Sequence, residues 1–323
     1  MRHNRMFVLG ATLLTAVLVL GACSKSGGDG TSSSSGPKPT VASLLTLGGP
    51  PECPTRPFCE PGLKSTYGLT FKDFKPLDVG GPQTVAALDS GAIQVGLLFS
   101  TDPTITDKGW IALVDDKHLQ NADIITPVVR SAILTDDIKT LLNGVSAKLT
   151  TENIVPLIKA VQGEHQDAAV VAKGFLQQNG LLTSATTTGA GKTLTVGVSA
   201  AFAENQIVAE MYAQVLQNAG YTIKKQFDLA SREVSDPALQ SGKIDIKPEY
   251  LASELAGPLA NAADKSSGDP VAEAAALAPL LAAKGITLLD PSQANDTNVF
   301  VVTKATADKY GLAKVSDLAK PAP

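Results

Sequence analysis

The sequence predicts an α/β fold arranged as two similar lobes around a cleft. Three observations lead there. A short stretch occurs twice, 151 residues apart, as Ala87-Leu88-Asp89-Ser90-Gly91-Ala92-Ile93-Gln94-Val95 and as Ala238-Leu239-Gln240-Ser241-Gly242-Lys243-Ile244-Asp245-Ile246. Each copy reads as a helix end, a glycine turn and a short buried strand. Strand-like and helix-like segments alternate along the rest of the chain, which favours mostly parallel sheets. The 323 residues also exceed what one lobe usually holds.

Each repeated strand delivers an aromatic to the loop after it. Phe99 stands in Phe99-Ser100-Thr101-Asp102 and Tyr250 in Pro248-Glu249-Tyr250. Ligands of open α/β sheets sit outside the carboxyl ends of the strands. Phe99 and Tyr250 are therefore expected on two jaws of one cleft, the alternative being that each packs inside its own lobe. Aromatics make up only 5% of the chain, so each one near a strand end is informative.

The elements follow in order. Leu44 to Leu47 reads as a strand closed by Gly48-Gly49-Pro50-Pro51, and Gly62 to Tyr67 as a short helix stopped by Gly68. Phe74 to Val79 is a strand broken by Gly80-Gly81-Pro82, and Gln83 to Leu88 is helical. Strands are expected at Val95 to Phe99 and Ile111 to Val114, and Thr126 to Arg130 is extended, a candidate crossing between lobes. Thr135 and Thr150 cap the next two helices, and Asp167 to Gln178 makes a third. Residues 183–191, rich in Thr, Ser, Ala and Gly, read as a linker.

The second half opens with the strand Thr193 to Val198. Glu204 to Ala219 is a long helix, Tyr221 to Leu229 a strand, and Ser231 caps a helix through Leu239. Asp269 caps an alanine-rich helix that begins at Pro270, a favoured first position. Strands at Ile286 to Leu289 and Val299 to Thr303, then short helices at Ala305 to Tyr310 and Ser316 to Ala319, complete the chain.

The N-terminus reads as a targeting segment. Arg2 and Arg5 precede the apolar run Phe7 to Ala22, the pattern of a secretory signal peptide over residues 1–22. Leu20-Gly21-Ala22-Cys23 resembles a bacterial lipobox, which implies lipidation of Cys23; an uncleaved membrane anchor is the alternative. Residues 23–40 then form a Ser/Gly-rich tether. The mature protein is thus expected on the outer face of the cytoplasmic membrane. Removing the signal takes away two positive charges and moves the net charge from −4 to −6. A mildly acidic body without a basic patch argues against nucleic acid as a partner.

Cys53 and Cys59 remain. An oxidising compartment favours a disulfide between them, worth about 2 kcal/mol for so short a loop, and its further use would be to aim Arg56. A metal site is the competing reading, weakened by the lack of a nearby His. No metal and no cofactor are expected. His118 and His165 stand without a partnered nucleophile or ligand spacing, and there is no phosphate-binding loop of the P-loop type. An enzyme is therefore not expected. Arg232 and Glu233 read as an ion pair or helix cap rather than ligand contacts, and Trp110 as a packing residue rather than a cation–π platform.

A family resemblance rests on several motifs: Leu47-Gly48-Gly49-Pro50, Tyr67-Gly68-Leu69-Thr70-Phe71, Phe99-Ser100-Thr101-Asp102, Ser231-Arg232-Glu233-Val234 and Pro248-Glu249-Tyr250. Together these resemble the glycine betaine/choline (osmoprotectant) substrate-binding proteins of ABC importers. The resemblance runs from about residue 41 to about residue 321, but in reversed order. In the family the segment similar to 193–320 precedes the one similar to 41–182. It implies a periplasmic-binding-protein-like (type II) fold with a hinge, circularly permuted. Lobe I would be residues 128–298, including the linker 183–191, and lobe II residues 41–127 plus 299–321.

The resemblance also implies a function. A lipid-anchored monomer would capture a quaternary ammonium compound between its lobes and hand it to an ABC permease and ATPase complex. In the family an aromatic cage holds the ammonium by cation–π attraction. Tyr250 and Phe99 match cage positions, whereas Asn298 and Val85 stand where tyrosines are common. Arg56 matches a family arginine suited to a carboxylate, and Ala200 stands where lysine is common. Gln83, Thr101, Asp102 and Ser199 are expected hydrogen-bonding residues. Because of these departures, a different small polar or planar ligand, or a sensor role, is the alternative.

Overall fold

The structure, a computed structural model, describes residues 38–78, 80–182, 187–199 and 203–323. The expected signal peptide, Cys23 and most of the expected tether, together with Ala200 and part of the 183–191 linker, lie outside the described residues.

Two five-stranded sheets organise the body. The first is formed by β1 (Thr46–Gly49), β2 (Asp73–Pro76), β3 (Val95–Phe99), β4 (Ile111–Leu113) and a strand from far along the chain, β10 (Asn298–Val302). The second holds β5 (Ile125–Arg130), β6 (Thr193–Ser199), β7 (Thr222–Leu229), β8 (Ile246–Tyr250) and β9 (Ile286–Leu288). Their orders are β2-β1-β3-β10-β4 and β7-β6-β8-β5-β9. These are one topology written twice: second strand, first strand, third strand, an antiparallel visitor, then the fourth. The visitors are β10 and β5, each antiparallel to both of its neighbours. The sheets are therefore less parallel than the alternating pattern implies, because each borrows a strand that arrives from the other lobe.

The helices are α1 (Glu60–Tyr67), α2 (Pro82–Asp89), α3 (Pro103–Asp107), α4 (Asp136–Ser146), α5 (Thr151–Ile158), α6 (Ala168–Gln178), α7 (Ala203–Asn218), α8 (Arg232–Gln240), α9 (Leu251–Ala256), α10 (Pro270–Ala282) and α11 (Lys304–Tyr310). The short helices α3 and α9, which begin just after the repeated strands, have no counterpart in the sequence reading. The caps arise as the sequence implies: Thr135, Thr150, Asp167 and Asp269 each accept backbone N–H groups of the first turn. In the repeat, Gly91 and Gly242 both adopt left-handed φ values, 71° and 77°, which turn the chain from helix into strand.

Both faces of each sheet are covered. Val128 and Val129, adjacent on β5 and both fully buried, point into opposite cores. Val129 joins the cluster under α4 and α7, and Val128 the one under α8, α9 and α10. In the first sheet Val95 and Leu97 face one core while Leu98 faces the other, beside Trp110. Among the described residues no helix is long and apolar enough to cross a membrane.

The ends of this body meet. Val41 donates its N–H to the Lys320 carbonyl at 2.9 Å, and Ala322 donates to Pro39 at 2.8 Å. Two segments, 114–124 and 289–297, carry the chain between lobes. They touch at the antiparallel bridge Ile124–Asn295, and Asp296 N–H reaches the Asp123 carbonyl at 3.1 Å. Across the surface junction, Lys159 bonds Asp107 at 2.6 Å.

Candidate ligand cleft

The site is built where β3, β8 and the two crossing segments converge. Phe99, half-buried at the end of β3, lines two adjoining cavities of about 200 and about 210 Å³. The first also takes Gly80, Thr101, Asp102, Glu204 and Asp296 into its wall. The second is lined by Phe58, Gln120, Asp123, Asp296 and Asn298 among others. Asp296 belongs to both, so the two cavities share an acidic partition.

Tyr250 plays a different part from the one its sequence position implies. Its ring is 7% exposed and belongs to the core beneath α7. Its hydroxyl lies 2.8 Å from Glu204 Oε1 and 2.7 Å from Asn205 Oδ1, and Asn205 Nδ2 donates to Ser199 Oγ at 3.1 Å. Tyr250 and Ser199 line a third cavity, of about 210 Å³, in the second lobe. The structure thus groups Phe99 with Thr101, Asp102 and Asn298, and Tyr250 with Ser199. The groups are joined through Glu204 and Asp296 rather than by facing rings.

That joint is a pair of carboxyl groups. Glu204, at the start of α7, hydrogen-bonds Asp296, and Thr101 Oγ1 donates to Asp296 Oδ1 at 2.5 Å. Burial pushes Asp296 up to about 7, and the neighbouring charge of Glu204 adds to the rise. Burial also raises Glu204. Two touching carboxylates resist double ionisation, so the pair shares a proton near neutral pH. Burial first, then the Glu204 charge, raises Tyr250 well above the usual phenol, which keeps it a donor.

The crossing segments carry a pseudo-symmetric pair. Asn298 pairs with Phe99 across one ladder and Ile125 with Tyr250 across the other. Asp296 and Asp123 each stand two residues before those positions. Asp296 binds Thr101, just past Phe99; Asp123 accepts from Ser253 N–H at 2.9 Å and Ser253 Oγ at 2.6 Å, just past Tyr250. Burial raises Asp123 to about 6 against those donors. Sequence reasoning missed both acids, yet a signal exists: Gln120-Asn121-Ala122-Asp123 and Gln293-Ala294-Asn295-Asp296 share Gln and Asp, and each continues to a Val-Val pair, Val128-Val129 and Val301-Val302.

The lobes differ beneath this cleft. Lys247, 1% exposed on β8, contacts Asp236, Glu249 Oε1 at 3.0 Å and Glu254 Oε2 at 3.7 Å. Arg232 closes the cluster with Nη2 2.8 Å from Glu249. An Arg232–Glu233 ion pair or a helix cap is the expectation; Glu233 sits in the first turn of α8, and the salt bridges of Arg232 run to Glu249 and Glu254. The oxygens of Asp236, Glu249 and Glu254 cluster within 4.8 Å, close enough for a metal ion, but the Lys247 ammonium already supplies the cation there. At the equivalent repeat positions the first lobe has Val85, Gly96 and Leu98, and Val85 packs into an apolar core.

The other expected site residues are placed as follows. Arg56 lies in the loop closed by the Cys53–Cys59 disulfide, its Nε and Nη2 buried without a protein acceptor. Gln83 is exposed in the first turn of α2, its N–H bound to Asp78 at 2.8 Å. Asp102 caps α3 through Thr104 N–H at 2.8 Å. Asn298 Nδ2 reaches Gln120 Oε1 at 3.4 Å. His118 and His165 are exposed, and Trp110 is 7% exposed in its lobe core.

Two α/β lobes joined by paired crossing segments, with an aromatic and acidic cleft at the strand ends, define a small-ligand binding protein of the two-lobed class. Residues 38–178 and 192–323 match the family described as the substrate binding domain of ABC-type glycine betaine transport systems, and the chain belongs to that family. It is 32% identical over 124 residues to the carnitine transport binding protein OpuCC of Listeria monocytogenes, covering 36% of this chain and 38% of that protein. It is 32% identical over 129 residues to a glycine-betaine-binding protein of Pseudomonas aeruginosa, covering 40% of each. The matched stretch thus spans about two fifths of the length of these relatives. Among solved structures, a phosphate-binding protein of a phosphate ABC transporter from Streptococcus pneumoniae aligns with 13% identity and a TM-score of 0.40, covering 85% of this chain and 94% of that one.

Proposed function

We propose that this chain captures a small quaternary ammonium compound between its lobes and delivers it to an ABC permease. The observation that carries this reading is the shared wall of Phe99 and Asp296 between the lobes, in a member of the glycine betaine family. An aromatic face and carboxylates both favour a cation. Relatives named for carnitine and glycine betaine binding point to the same class. Arg56, with two buried and unpartnered guanidinium nitrogens, would suit the carboxylate of such a zwitterion. The protein itself performs no chemistry in this reading. Titration calorimetry with choline, glycine betaine and carnitine tests it: binding of at least one, weakened at least tenfold by Phe99→Ala, is expected. Silence from folded protein toward all three would remove it.

The chain order belongs to the same proposal. The family match is broken between residues 178 and 192, and the ends of the body are hydrogen-bonded neighbours. Both features support a circular permutation, with lobe II as 41–127 plus 299–321 and lobe I as 128–298. Cleavage of residues 1–22 and lipidation of Cys23 would hold the monomeric binder at the outer face of the membrane; mass spectrometry of the mature protein tests this.

A further inference from the structure

We propose that Phe58 is a wall of the ligand cleft, held by the Cys53–Cys59 disulfide, and that it meets the cationic head of the ligand opposite Phe99. The inference rests on the reading above and adds a recognition residue to it.

The loop that carries Phe58 is anchored on every side except the ring. Cys53 and Cys59 are both 0% exposed and joined to each other. The Phe58 carbonyl accepts from Gln120 Nε2 at 2.8 Å, and Gln120 Oε1 in turn faces Asn298 Nδ2. The loop also folds tightly onto α1: a Cβ at Gly62 would lie 2.0 Å from the Pro57 carbonyl oxygen. Within this fixed frame Phe58 is 36% exposed. An apolar ring in a rigid loop would normally turn toward the core that its disulfide already touches. Here it lines the cavity of about 210 Å³ together with Phe99, Asp123 and Asp296.

Two phenyl rings and two carboxyl groups lining one cavity match a quaternary ammonium. The ring faces attract the cation, and the acids balance its charge. A loop backbone already held by a disulfide and a carbonyl hydrogen bond loses little freedom on binding. Phe58 would therefore supply an aromatic contact that Val85, packed in its lobe core, does not.

The test titrates wild type, Phe58→Ala, Phe58→Leu and Phe58→Tyr with choline and with its uncharged carbon isostere, 3,3-dimethylbutan-1-ol. Phe58→Ala and Phe58→Leu should weaken choline by about 5- to 30-fold, the size of one good cation–π contact, while Phe58→Tyr keeps the affinity. The uncharged isostere should bind wild type more weakly and lose less on Phe58→Leu. In the Cys53→Ser/Cys59→Ser background the Phe58→Ala penalty should shrink, because the ring is no longer held. If that background fails to fold, the Ala, Leu and Tyr series decides alone. Choline affinity unchanged in Phe58→Ala overturns the inference and leaves the function standing; wild-type silence toward choline, glycine betaine and carnitine removes both.

Discussion

Asp296 and Glu204 hold their carboxyl groups in hydrogen-bonding contact where the two lobes meet. Tyr250 and Asn205 approach the pair from the second lobe, Thr101 from the first, and the Glu249 charge lies behind Tyr250. A proton held between the two acids offsets part of their negative charge, so a bound cation competes with it.

Cation affinity should therefore rise with pH. Asp296 is raised to about 7, so from about pH 6 to about pH 8 the pair loses its proton and gains attraction for an ammonium. Calorimetry of choline binding in two buffers of different ionisation enthalpy should show proton release near neutrality. Asp296→Asn should abolish the release. A wild-type profile that is flat with pH would contradict the shared proton.

The stability of the ligand-free protein should run the other way. Asp123 at about 6, Asp296 at about 7 and Glu273 at about 7 all exceed their unfolded values, with burial as the leading cause. The folded protein thus keeps protons that the unfolded chain releases near pH 4. Stability from these groups is fully present below about pH 4 and is lost progressively as pH rises to about 6 to 7. The lowered acids Asp78, Asp116 and Asp317 act below about pH 4, where their contribution is lost as pH falls. Urea midpoints should be higher near pH 5 than near pH 8; the reverse order would show that these acids are not buried as described.

Lys247→Met should destabilise the second lobe by about 3–5 kcal/mol, because it leaves Asp236, Glu249 and Glu254 without their central cation. The variant should be most stable at low pH, where those acids are neutral. Denaturant unfolding at two pH values checks both the size and the direction.

Tyr250 and Phe99 should separate fold from recognition. Tyr250→Phe removes a buried hydroxyl from Glu204 and Asn205, at about 1–3 kcal/mol, and Tyr250→Ala hollows a core position at about 3–5 kcal/mol. Ligand loss in Tyr250→Ala thus comes with lost stability. Phe99→Ala, at a half-buried position, should weaken binding with the smaller change in melting temperature. Paired melting and binding curves distinguish them.

A chain reordered to run from residue 187 to 323, through a short linker, and then from 38 to 182 should fold to the same two sheets. Val41 and Lys320 are already hydrogen-bonded, so the new connection needs little length. Equal choline affinity in the two orders is the expected result, and a reordered chain that fails to fold would count against the permutation.

Local chemistry made much of the fold legible. The repeated Ala-Leu-x-Ser-Gly stretch placed α2 with β3 and α8 with β8, since a helix, a left-handed glycine and a strand need only neighbouring residues. The Thr and Asp caps were readable for the same reason. Phe99, Thr101 and Asp102 could be singled out because they end or follow a strand, whereas Asn298, the first residue of β10, was reached only through the family resemblance.

What the sequence by itself determined is the order of elements, the two-lobe plan and the aromatic at each strand end, all set within a few residues of chain. Tertiary structure alone decided which of those aromatics lines the cavities beside Asp296. It buried Tyr250 under α7 and left Phe99 in the cleft beside Phe58, 41 residues away in sequence. It also created the acidic centre, by bringing Glu204 of one lobe to Asp296 of the crossing segment. A carboxyl group in an isolated stretch of chain is solvated and ordinary; its raised proton affinity exists only once burial removes the water and a second acid occupies the same space.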